Sequence, residues 1–251
     1  MSFIRTCSVK IEEVYKTKDA VLDGWFGFNR EASAAKTFEY DPENFLYYRA
    51  RAITADKANE NGDYFEKKEL QASYKTFVGK GVFYNHDNED PNKAFGLILD
   101  AHFVDPSNDN AYIEILAAVD KHLIEEIVPG LLRRVESGMA TGTSMSCLAG
   151  LAKCSFCGNM ARTTKQLCDH MRPDSLTYIK GRKINATDYA FEYNHEITFT
   201  EDSIVDVPAD TTARIFEVYA SNKDKLTKDN LDKDVVLKLT DALHALAKSI
   251  K

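Results

Sequence analysis

The sequence predicts a mainly β domain with peripheral helices, an α+β chain built on an antiparallel β-barrel or sandwich. Two observations carry this. Short runs rich in aromatic and β-branched residues recur between turn signals. Helical periodicity is confined to a few tracts.

Taken in order, Phe45–Thr54 (FLYYRARAIT) reads as a strand, followed by a polar stretch with the turn pair Asn61-Gly62. Glu66–Phe77 has mixed helical periodicity and stops at Gly79 and Gly81. Val82–Tyr84 begins a short strand that runs into Asn85-His86-Asp87. Ala94–Phe103 and Ala111–Val119 read as a hairpin joined by a loop of Asp, Pro, Ser and Asn. Lys121–Val135 is helical, and its Pro129-Gly130 pair should kink or divide it. Met139–Leu148, Glu192–Phe199 and Asp202–Val207 resume strand character. Past Asn222, Leu231, Val235, Leu239, Ala242, Leu246 and Ile250 form one apolar stripe at helical spacing. The expected organisation is a domain over 1–222, interrupted by a cysteine-bearing insertion at about 150–175, and a C-terminal amphipathic helix over 223–251.

Composition excludes several classes. The 251 residues are 44% hydrophobic and 28% charged, as in a folded globular chain. The net charge of -7 makes a general nucleic-acid binder an unexpected reading, because phosphate contacts need clustered Lys and Arg. No apolar run approaches membrane-spanning length, and Met1–Lys10 lacks the apolar core of a secretory signal, so a cytoplasm is expected.

Of the five cysteines, Cys154, Cys157 and Cys168 cluster, and His170 follows closely. A CxxC loop presents two thiolates to one metal, and Cys168 with His170 would complete a tetrahedron. A closed set of this kind describes one structural zinc ion, holding a segment too small for its own core. With no vacant position it would not activate water, so no catalytic cofactor is expected. Cys147 reads as a buried apolar residue.

A serine nucleophile needs a neighbouring base and a group that orients that base. His86 sits in a polar turn at a strand end, from which a side chain can face a cleft. Ser144 and Ser146 share strand parity in a run of small residues, so spacing does not separate them. Taken alone, His86 reads as a loop histidine and the serines as packed strand residues.

Three ordered segments change that reading. Asn61-Gly-Asp-Tyr through Asn85-His86-Asp87, Gly142-Thr-Ser-Met-Ser-Cys147 and Glu201-Asp-Ser-Ile-Val-Asp-Val-Pro-Ala209 together resemble the prohead maturation proteases of tailed bacteriophages, which share the herpesvirus assemblin fold. The resemblance covers about residues 45 to 215. It implies a herpesvirus-protease type barrel, His86 as the base and Ser144 as the nucleophile, with Ser146 at a position where the family has glycine. It implies Glu201 as the third member, with His195 and Asp202 as rivals. It further implies a serine endopeptidase that cuts scaffold, major capsid protein and itself inside the assembling prohead, in the host cytoplasm. Several members cut after a glutamate, and Ile215-Phe-Glu217 fits a self-cleavage site, as do Ile11-Glu-Glu13 and Ile124-Glu-Glu126. A homo-oligomer through the terminal helix is a further expectation. The rival readings are an assembly protein that kept the fold and lost the chemistry, and a zinc-stabilised binding module.

Overall fold

The chain is described by a computed structural model over residues 41–185 and 188–219. The expected helix at 223–251, Cys7 and Ile11-Glu-Glu13 lie outside those residues.

Among the described residues nine strands form one sheet: β1 (Phe45–Thr54), β2 (Asp63–Tyr64), β3 (Gly81–Tyr84), β4 (Gly96–Val104), β5 (Tyr112–Asp120), β6 (Thr143–Cys154), β7 (Met160–Ala161), β8 (Glu192–Ile204) and β9 (Arg214–Tyr219). Their order is β7-β6-β8-β3-β4-β5-β1-β9, with β2 added alongside β8. Among the described residues three helices accompany it: α1 (Lys67–Ser73), α2 (Lys121–Ile127) and α3 (Leu131–Glu136).

Alternation explains the central ladder. Leu46, Tyr48, Ala50 and Ala52 of β1 face the core at period two, as do Ile113, Ile115, Ala117 and Val119 of β5. Phe77, in the 3-10 turn after α1, stacks on Phe199 of β8 with ring centroids 3.8 Å apart, which seats α1 on the sheet. The Asp120 carboxylate accepts hydrogen bonds from the His122 and Leu123 backbone N–H groups and so caps α2. Pro129-Gly130 does divide the helical tract, with Gly130 in the left-handed region at φ 82°.

Two expectations need correction. The sheet is mixed and open, not an antiparallel barrel. β2 and β3 both run parallel to β8, because the long chain between β3 and β8 leaves room for a crossover. Closure stops at a single bridge between Gly142 and Arg214, so no ladder joins β6 to β9. The second correction concerns Glu192–Phe199 and Asp202–Val207. They are one strand, β8, whose register against β6 shifts between Ser146 and Cys147. β6 itself starts later than expected, at Thr143, and runs on to Cys154.

This open sheet positions everything that follows. β6 and β8 pair along nearly their whole length, from Thr143 against Ile204 to Cys154 against Glu192. One end of that pair carries the serines and the other carries the first cysteine. Among the described residues, no helix is long and apolar enough to cross a membrane.

Candidate active site and metal cluster

Register brings the hydroxyls and the carboxylate together. Ser144 of β6 lies opposite Ser203 of β8, and Ser146 lies opposite Glu201. Residues directly opposite in a sheet project to the same face, so these four side chains share one. β3 runs on the other side of β8, with Phe83 beside Ser203. The chain leaves β3 and turns back through Asn85 and His86, both left-handed at φ 46° and 60°. Asn tolerates that region; for His it is uncommon and costs on the order of 1–3 kcal/mol. Surrounding contacts hold the turn. The Asn85 N–H donates to the Ile204 carbonyl at 3.0 Å, and the Asn85 side chain exchanges hydrogen bonds with Asp206. Tyr84 and Arg134 both donate to that same Asp206 carboxylate.

The result is a chain of three side chains. His86 Nε2 is 2.9 Å from Ser144 Oγ, and His86 Nδ1 is 2.8 Å from Glu201 Oε1. The Glu201 side chain is 2% exposed and that of His86 is 39% exposed, so the acid is interior and the base faces the cleft. A buried carboxylate accepting from Nδ1–H leaves the Nε2 lone pair for the serine proton. Ser146 Oγ stands 3.3 Å from Nδ1, the nitrogen turned to Glu201, which is the wrong one for activation as a nucleophile.

The two rivals of Glu201 lie elsewhere. His195 is at the far end of β8, with Nδ1 3.2 Å from Glu69 and 3.6 Å from Glu66. Glu69 also accepts from the Glu196 N–H, and Lys68 pairs with Glu66, so this group pins α1 to β8. Asp202 points to the opposite face from Glu201 and is fully buried near Tyr48. Its carboxyl oxygens and the Tyr48 hydroxyl have no hydrogen-bond partner among the described residues. Burial, and then the Glu201 charge, hold the Asp202 carboxyl well above the usual carboxylate range.

Ser144 and His86 open onto a cleft of about 480 Å³. Its floor follows one face of β6 through Ser146 and Ala149 towards Asp63, Glu192 and Asn194. The Cys147 thiol also lines it, partly buried rather than buried as expected, and desolvation pushes it up to about 12. β7 pairs only with Ala152 and Lys153, so the rest of the outer edge of β6 has no partner strand among the described residues apart from the Gly142 bridge at its start.

The cysteine cluster assembles at the other end of β6. Cys154 ends the strand, Gly158 turns the chain at φ 73°, and β7 returns beside β6. One ligand atom from each of Cys154, Cys157, Cys168 and His170 lies within 4.8 Å of the other three. Tetrahedral Zn–S bonds of about 2.3 Å imply sulfurs roughly 3.8 Å apart, within reach of this set. His170 Nδ1 is buried without a hydrogen-bond partner, as expected of an imidazole whose partner is a metal. Burial opposes ionisation of Cys157, but the Asn159 N–H and the side chains of His170, Cys168 and Cys154 bring its thiol down to about 7. Burial pushes Cys154 up to about 11. The segment's own apolar cluster is only Cys154, Met171 and Ala190 with three partly buried neighbours, so four cross-linking ligands would supply what its core lacks.

Comparison of the chain with family models, curated proteins and solved structures finds no match. The site therefore stands on its own geometry.

Of the residues expected from sequence, His86, Ser144 and Glu201 meet in one place, and the four cysteine and histidine ligands meet in another. Ser203 escaped sequence reasoning. Its Oγ accepts from the His86 N–H at 3.1 Å and donates to Glu201 Oε2 at 2.7 Å. The available signal was parity: Ser203 is two residues from Glu201 on one strand and so shares its face.

Proposed function

We propose that the chain is a serine endopeptidase in which Ser144 is the nucleophile, His86 the general base and Glu201 the group that orients and stabilises the imidazolium. The observation that carries this is the linear order of contacts: Ser144 Oγ at 2.9 Å from Nε2, and a buried carboxylate at 2.8 Å from Nδ1 of the same ring. A serine hydroxyl has almost no nucleophilic anion at neutral pH, and this arrangement supplies the base that removes its proton as the bond to carbon forms.

In the proposed reaction Ser144 Oγ attacks the peptide carbonyl carbon and its proton passes to His86 Nε2. The resulting imidazolium is held against Glu201. The tetrahedral intermediate then expels the amine, which takes the proton from Nε2. Water, deprotonated by the same nitrogen, attacks the acyl-enzyme and releases Ser144. The bare edge of β6 supports an extended substrate, because a peptide laid beside it gains main-chain hydrogen bonds as an added strand.

The resemblance to prohead maturation proteases supplies the substrate class: scaffold and major capsid proteins of a tailed phage, cut in the assembling head within the host cytoplasm, as well as the chain itself. In the cleft wall, Asp63 and Glu192 are both paired with Lys180, at 2.6 and 3.5 Å, and Asp210 is buried on the Thr54 and Thr212 donors, so the wall offers polar contacts rather than a free charge to a substrate. Ile215-Phe-Glu217 lies in β9, with Glu217 paired to Arg49 at 2.7 Å, so self-cleavage there requires β9 to leave β1. In the same reading the Cys154, Cys157, Cys168 and His170 cluster holds one structural zinc ion, and the chemistry uses no cofactor.

Incubation of the purified chain with the capsid and scaffold proteins of its own phage tests the reading. Wild type is expected to produce discrete fragments and Ser144→Ala none. Intact substrates with a correctly folded wild type, or equal cutting by both, would remove the proposal.

A further inference from the structure

We infer that Ser203 is a positioning residue that sets the direction of the protons along the His86–Glu201 pair. The inference deepens the protease reading and rests on it for the catalytic consequence.

The contacts form a closed ring. The His86 backbone N–H reaches Ser203 Oγ at 3.1 Å, Ser203 Oγ reaches Glu201 Oε2 at 2.7 Å, and Glu201 Oε1 returns to His86 Nδ1 at 2.8 Å. A backbone N–H can only donate, so Ser203 accepts there. The single Ser203 proton is then directed at Glu201, its one other hydrogen-bond partner among the described residues. Glu201 accepts that hydrogen bond on Oε2, which holds the carboxylate with Oε1 turned to the ring as an acceptor. Against a carboxylate oxygen Nδ1 carries the hydrogen, and Nε2 is left as the lone pair facing Ser144. One main-chain group thus fixes the tautomer on which attack by Ser144 depends.

The same hydroxyl also stabilises the turn. His86 sits at φ 60°, an uncommon conformation for a side chain of its size, and its N–H has Ser203 as its partner. Ser203 is fully buried on β8 opposite Ser144, so water cannot readily replace it. Without it, Glu201 loses the contact that stops its carboxylate from rotating, and the His86 N–H loses its acceptor. Ser146, the remaining hydroxyl near this ring, reaches only Nδ1 and cannot substitute on Oε2 from there.

Two readouts on the full chain test this. The first does not need catalysis. In Ser144→Ala protein with labelled histidine, the proton held between His86 Nδ1 and Glu201 gives a far-downfield resonance. Adding Ser203→Ala should abolish or broaden it, whereas Ser203→Thr, which restores a hydroxyl, should keep it. The second is kinetic. Ser203→Ala alone should lower kcat by about ten- to a hundredfold with KM changed less than about threefold, as for loss of an interaction that matters in the transition state. Ser203→Thr should recover most of that loss, and melting curves should show all variants folded.

A resonance that survives in Ser203→Ala overturns the inference, as does a kcat that does not fall, or a loss confined to KM. If wild type cleaves nothing but the resonance responds as stated, the protease reading fails and the positioning role stands. If wild type cleaves and Ser203→Ala cleaves equally well, the protease reading stands and the positioning role fails.

Discussion

Glu201 and Asp202 are neighbours in sequence with opposite fates, because adjacent strand residues face opposite ways. Glu201 has two hydrogen-bond donors aimed at it, and Asp202 has none among the described residues. Burial, and then the Glu201 charge, therefore hold the Asp202 carboxyl well above the usual carboxylate range. An acid whose folded pKa is raised contributes most below its unfolded value, near 4, and loses that contribution as pH rises towards the folded value. Asp202→Asn, which cannot ionise, should thus melt higher than wild type at pH 8, and the difference should shrink as pH falls towards 4. The gain reflects the ionisation that burial opposes in the acid and that the amide does not undergo. A lower melting temperature for the variant at pH 8 would show that the carboxylate is ionised and paired. Sequence alone named Asp202 as a rival for the third catalytic position. Neither spacing nor composition reveals which of two adjacent residues faces the base; the register of β8 against β6 does.

The β6–β8 pair links the two sites. Its one end bears Ser144, Ser203 and Glu201, and the other ends at Cys154 opposite Glu192. The ligand His170 continues the connection: its carbonyl accepts from the Ile179 and Lys180 N–H groups, and Lys180 Nζ reaches Asp63 at 2.6 Å in the cleft wall. Chelation of the metal, or Cys157→Ser, should therefore release residues 155–185 first, read as a loss of hydrogen-exchange protection there while β1, β4 and β5 keep theirs. Each kcal/mol lost globally should lower the melting temperature by roughly 2–4 °C for a domain of this size. Elemental analysis should return one zinc per chain in wild type and less in Cys157→Ser. Unchanged protection after metal removal would make the cluster a bystander. The ligand set was legible because CxxC spacing is local. That its lever arm reaches the cleft was not, since Lys180 and Asp63 are far apart in sequence.

The fold as a whole was legible as to class and not as to closure. The aromatic and β-branched run Phe45–Thr54 is a strand and the Pro129-Gly130 pair breaks the helical tract, as expected, since each signal depends only on neighbouring residues. A barrel was expected where the sheet stays open. Closure is decided by whether β6 and β9 can form a ladder, and they meet at Gly142 and Arg214 alone. The opening has a use in the proposed reading: it is where the cleft lies, between β1 and the serine strand. His86 and Ser144 were ordinary loop and strand residues until three segments were read in order, and their contact distance is what gives the pair chemical meaning. The central claim is that Ser144, and not Ser146, is activated by His86. It is tested most directly by treating the folded chain with a fluorophosphonate, which phosphonylates only activated serines, and mapping the adduct by mass spectrometry. One adduct is expected on Ser144, absent in His86→Ala and retained in Ser146→Ala. An adduct on Ser146, or no adduct on the folded wild type, would contradict it.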